Sequence, residues 1–122
     1  MMIKDILLVG VGSFFGGIAR YLIALAMKGI SETFPWATMT ANILGCLLIG
    51  LLWATFDRFN SSSQLGLLLI VGFCGGFTTF STFSKESLNL LQSGSYLLFG
   101  LYAICSVAVG ILAVAVGYFF AK

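Results

Sequence analysis

Ten charged residues cut this chain into uncharged stretches that no water-soluble fold would need. No formal charge falls in residues 6–19, 33–56, 59–84 or 87–121, runs of 14, 24, 26 and 35 residues. A helix that crosses a bilayer takes about 20 mostly apolar residues, so four would use about 80 and leave short loops. Two would leave apolar sequence with nowhere to go. Composition agrees, with 60% of the 122 residues hydrophobic and 8% charged, against about 25% charged in an ordinary soluble domain. The chain reads as an all-α membrane protein, a single domain of four transmembrane helices over residues 1–122.

The charges set the spans at about 5–27, 36–57, 64–92 and 96–120. Pro35 suits the first turn of helix two, and Ser61, Ser62 and Ser63 offer caps ahead of helix three. At about 1.5 Å per residue, a continuous third helix would be about 43 Å long, well beyond a hydrocarbon core of about 30 Å. Either it projects into water or it is broken. The opening MMIKDILLVGVGSFF has a basic residue ahead of an apolar run but no small-x-small cleavage site, so it is expected to remain as the first span.

Several function classes drop out. A net charge of +2, scattered along the chain, gives no electrostatic footprint for nucleic acid. There is no histidine, and the carboxylates are Asp5, Glu32, Asp57 and Glu86, so enzyme chemistry is not expected. Cys46, Cys74 and Cys105 fall singly in three apolar stretches and read as small packing residues.

An even number of spans collects Lys4, Arg58 and Lys122 on one face and leaves Arg20, Lys28 and Lys85 toward the other, three against three. Orientation normally follows an excess of Lys and Arg on the cytoplasmic side. A balanced chain has little reason to choose, and the expectation is dual topology, with inverted copies side by side. An antiparallel pair would make between two chains the inverted repeat that many transporters build within one.

Glycine pairs Gly12/Gly16 and Gly72/Gly76, with the row Ala41/Gly45, let helices approach closely and speak for a compact bundle. The segment GFCGGFTTFSTFSKE, residues 72–86, is of another kind: glycines, hydroxyls and charges at mid-span depth. Irregular backbone is tolerated there only where it is buried in protein or lines a cavity, so Gly75-Gly76 followed by Thr78-Thr79 predicts a helix break. Freed carbonyls at such a break are ready cation ligands. Beyond it, Phe80, Phe83, Ser84 and Ser87 share one helical face, and Thr79, Thr82 and Glu86 another. Asn42 needs partners for its carboxamide, either another helix or a bound species. Tyr102 lies at mid-depth rather than in an interfacial belt. Arg20, about 12 Å of helix short of Lys28, must snorkel or face a water-filled vestibule.

GGIARY (16–21), ANILG (41–45) and above all GFCGGFTTFSTF (72–83) resemble the Fluc/CrcB family of fluoride channels, and the resemblance covers essentially the whole chain. It implies a bacterial inner-membrane protein, an antiparallel dual-topology homodimer that exports fluoride passively through two pores. It implies that Phe80 and Phe83 face the ion, that Asn42 donates to it, and that Ser81, Thr82, Tyr102 and Glu86 line the track. Arg20 would belong to the vestibule. Gly75 and Thr78 would supply backbone carbonyls to a structural sodium ion (Na+) at the dimer centre.

Two rival readings remain for a chain of this size. A small dual-topology drug or guanidinium antiporter needs a membrane-embedded carboxylate in the first span, and residues 6–27 contain none. An accessory subunit of a larger complex would explain the glycine rows but not the hydroxyl-rich break.

Overall fold

The computed structural model describes residues 2–30, 33–60 and 62–122. Helix α1 is Met2–Ala26 and α2 is Trp36–Phe59. Helix α3 runs through Ser63–Gly66, a π-helical stretch Leu67–Cys74 and Gly75–Phe77. Helices α4, Phe80–Gln92, and α5, Tyr96–Ala121, complete the chain. With α3 and α4 taken together as Ser63–Gln92, four helical spans among the described residues are long and apolar enough to cross a membrane.

Local chemistry explains where the helices end. Pro35 stands just before α2, as its N-cap, rather than inside the first turn. Asn60 closes α2 in the left-handed region, φ 52°, and donates its N–H to the Phe56 carbonyl. Of the three serines expected to cap helix three, Ser62 does so, its hydroxyl accepting the Leu65 N–H at 3.3 Å. Ser63 is the first helical residue, and Ser61 lies outside the described residues.

Small residues lie inside and large apolar ones outside, the reverse of a soluble bundle. The buried residues of α1 are Gly12 and Gly16, while Phe14 and Phe15 are exposed. In lipid there is no hydrophobic drive between helices, and close backbone approach through small residues takes its place. A Cβ on Gly12 would collide with the Leu68 carbonyl oxygen, and one on Gly16 with that of Phe73. Successive α1 positions thus meet successive α3 positions, and the pair runs parallel. A second parallel pair, α2 on α5, is built the same way: a Cβ on Gly50 would strike the Val114 carbonyl, and one on Gly117 that of Leu47. Met39, Leu90 and Tyr102 form the small buried apolar cluster between α2, α4 and α5.

Helix three is broken, as expected, at the hydroxyl pair that follows the glycines. Gly75 and Gly76 are helical, and the chain turns extended at Thr78 (φ −90°, ψ 159°) and Thr79 (φ −151°, ψ 121°). The reason lies in the threonines' own bonding. Thr78 donates both its N–H, at 3.0 Å, and its hydroxyl, at 2.8 Å, to the Cys74 carbonyl and so closes α3. Thr79 then caps α4, its hydroxyl accepting the Thr82 N–H at 3.2 Å.

Candidate functional site

The break sits against α2, and Asn42 is what joins them. Its Oδ1 accepts the Thr79 N–H at 2.8 Å, and its Nδ2 donates to the Thr79 carbonyl at 3.1 Å. A carboxamide carries one carbonyl and two N–H groups, so this pairing copies a strand partner and leaves one N–H over. Gly45, one turn on, is where α2 comes close enough: a Cβ there would collide with the Thr78 methyl.

Beside this clasp lies a recess of about 270 Å³, walled by Asn42 and Cys46 of α2, the break, Phe80 and Phe83 of α4, and Ser106 of α5. Phe80 is 79% exposed, so the recess has no outer wall within one chain. Its ring lies 5.9 Å from that of Phe83, centroid to centroid. Among the described residues, the Ser106 hydroxyl is the buried side-chain polar atom without a hydrogen-bond partner. Sequence reading passed over Ser106, since one serine in an apolar helix ordinarily bonds to its own preceding turn. Only the missing partner marks it.

From the recess a line of groups continues along α4. The Phe83 ring packs on Tyr102 at 4.9 Å, and Phe34 meets the same ring edge-on at 5.4 Å. Tyr102 is fully buried, and its hydroxyl donates to Glu86 Oε1 at 2.9 Å. Thr38 donates to Glu86 Oε2 at 3.1 Å. Each oxygen of this half-buried carboxylate thus accepts a bond, as burial of a charged group requires. On its other side Glu86 borders a second hollow of about 120 Å³ with Thr33, Pro35 and Asn89.

The structure thus brings Asn42, Phe80, Phe83, Tyr102 and Glu86 into one continuous line. Thr82 stands behind it, receiving the Thr79 hydroxyl at 3.2 Å, and exposed Ser81 lies 3.3 Å from that same hydroxyl. Ser87 spends its hydroxyl on the Phe83 carbonyl, at 2.8 Å, a bond within its own helix. Arg20 lies apart from the line, across the break on α1, with its Nε donating to the Gly76 carbonyl at 3.4 Å. Gly75 is exposed, with the Ile70 carbonyl at 4.0 Å as the nearest atom to a Cβ placed there. Among the described residues no group of three or more His, Cys, Asp or Glu stands together to hold a metal. Cys74 is buried, Cys46 and Cys105 are half-buried, and all three are free thiols.

Residues 7–118 match the family described as CrcB-like protein, Camphor Resistance (CrcB). A protein of Phocaeicola vulgatus named Fluoride-specific ion channel FluC is 47% identical over 115 residues, which are 93% of this chain and 95% of the relative. Relatives of the same name in Bacteroides fragilis, 45% identical over 118 residues (93% of each chain), and Desulfotalea psychrophila, 42% identical over 117 residues (96% of this chain, 91% of the relative), extend the match. With a family match spanning nearly every described helix and relatives aligned almost end to end, this chain belongs to the CrcB family.

Proposed function

We propose that this chain is a passive, fluoride-selective ion channel of the inner membrane, working as an antiparallel homodimer with two pores. The family is one of ion channels rather than enzymes, and its curated relatives carry the fluoride-channel name. The observation that carries the reading is the recess itself: an oriented amide, two phenylalanine rings and an unpartnered hydroxyl at a helix break, open on one side.

Aromatic edges carry the positive part of the ring quadrupole, so Phe80 and Phe83 attract an anion passing edge-on without trapping it on a fixed charge. Conduction needs binding that also lets go. The spare N–H of Asn42 and the Ser106 hydroxyl are donors for a small, strongly hydrated anion at the recess. Farther on, the hydroxyls of Tyr102 and Thr38 now serve Glu86 and can rotate toward an anion passing the carboxylate, with Ser81 and Thr82 beside the path. Arg20 holds positive charge at the vestibule.

The open side of the recess, with Phe80 bare, is the place for a second copy. Balanced charge at the two ends allows that copy to be inverted. In such a pair Gly75 and Thr78 from each chain would offer four carbonyl oxygens to a sodium ion. The residues fit a hard cation: Thr78's extended backbone takes its carbonyl out of the helical ladder, and Gly75 has no side chain to keep a partner away. Bound there, the ion would neutralise facing carbonyls at the centre of the pair.

Passive conduction suffices for export. Hydrogen fluoride crosses a bilayer as the neutral acid and dissociates in a neutral cytoplasm, and a negative-inside potential drives the anion out by about 2.3 kcal/mol per 100 mV. The test is efflux from liposomes loaded with potassium fluoride, with valinomycin to relieve the charge and an electrode outside. Rapid fluoride loss without chloride loss is expected. Retention of fluoride by liposomes that hold folded protein would reject the channel.

A further inference from the structure

We propose that Arg20 is a positioning residue, whose guanidinium caps the C-terminal end of α3 and thereby holds the break at Thr78 and Thr79 in register with Asn42. A helix end leaves carbonyls without intrahelical donors, and here the end lies inside a span, where partners come from the protein or from a cavity it lines. The fold meets part of this demand around the break. The Cys74 carbonyl takes the N–H and hydroxyl of Thr78, the Thr79 carbonyl takes Asn42, and the Gly76 carbonyl takes Arg20 Nε. A cation at a helix C-terminus also opposes the negative end of the helix dipole.

The contact is built rather than incidental. Arg20 lies on α1 one turn beyond Gly16 and two beyond Gly12, the two buried glycines that bring α1 onto α3. Between them, Ser13 donates its hydroxyl to the Gly72 carbonyl at 3.3 Å, and a Cβ on Gly76 would stand 2.7 Å from the Ser13 carbonyl oxygen. The same row that seats the helices delivers the guanidinium to Gly76, about 9 Å of helix before α1 ends at Ala26. Nε–H is one of five guanidinium donors, so the cap leaves the others free for a vestibule.

Capping and simple attraction of anions differ in what they require. The cap needs an N–H at the ε position along the side chain, which Lys and Met both lack. Attraction needs only charge, which Lys keeps, and it fades as salt screens it. The experiment compares wild type, Arg20→Lys and Arg20→Met in liposomes by two readouts: amide hydrogen exchange at Thr79, and fluoride flux against fluoride concentration at low and high ionic strength. The exchange readout stands without the channel reading, on which only the flux readout rests. Expected is about tenfold faster exchange at Thr79 in both variants, with α5 amides still protected. Maximal flux should fall in both at every ionic strength, with the half-saturating concentration little changed. Unchanged exchange in both, with Arg20→Lys conducting as wild type and the Arg20→Met deficit vanishing at high salt, would overturn the cap. If wild type carried no fluoride, the channel reading would fail, and exchange at Thr79 alone would still decide this proposal.

Discussion

Asn42 and Thr79, 37 residues apart in sequence, are paired in both directions: the side-chain carbonyl accepts the Thr79 N–H and the side-chain amide donates to the Thr79 carbonyl, at 2.8 and 3.1 Å. The two halves of the third span are therefore held by a side chain of the second. Asn42→Ala removes both bonds and leaves two backbone groups open. It should destabilise the protein by about 1–3 kcal/mol, read by denaturation in detergent, and reduce fluoride flux. Full stability in this variant would show that the clasp contributes nothing to the fold.

Ser106 separates function from stability. Its buried hydroxyl has no partner among the described residues, and an unsatisfied group of this kind costs the fold about 1–3 kcal/mol. Ser106→Ala should leave the melting temperature unchanged or raised while flux falls. Undiminished flux would take Ser106 out of the path.

The glycine contacts divide sharply by position. Gly50→Leu must push α2 away from the Val114 carbonyl, whereas a Cβ on Gly100 meets nothing within 4 Å. Overpacking of this sort costs about 1–3 kcal/mol and at times more. The Gly50→Leu protein should be lost from the monodisperse peak in size-exclusion chromatography, while Gly100→Ala elutes as wild type. Equal recovery of both would contradict the close packing of α2 on α5.

Dual topology has its own readout. Ser62, exposed at the start of α3, can be changed to cysteine with Cys46, Cys74 and Cys105 replaced by alanine. A membrane-impermeant thiol reagent should then label Ser62→Cys from both sides of the membrane, about half of the molecules from each. Labelling from one side alone would contradict an antiparallel pair.

Much of this was legible in the chain because charge and hydropathy act locally. Ten charges delimit the spans, and Gly12 and Gly16 announce a close contact. The break was legible too, in the hydroxyl pair after Gly76, but its partner was not: Gly75 and Gly76 stay helical, and the chain opens at Thr78–Thr79 against Asn42, a contact that no local rule supplies. The π-helical stretch Leu67–Cys74 left no trace in the run LLLIVGFC, since nothing in uniform aliphatic sequence distinguishes an i→i+5 ladder from i→i+4. Tyr102 was visible as a phenol at the wrong depth. That its bond goes to Glu86, 16 residues earlier on a neighbouring helix, came only with the fold.

The central claim is selective conduction of fluoride, and the most direct measurement is the reversal potential of the purified protein in a planar bilayer under a tenfold fluoride gradient with equal chloride on both sides. A fluoride-selective channel should reverse at about 59 mV, the value for one charge per tenfold gradient. Currents reversing at zero, or following an imposed chloride gradient instead, would contradict it.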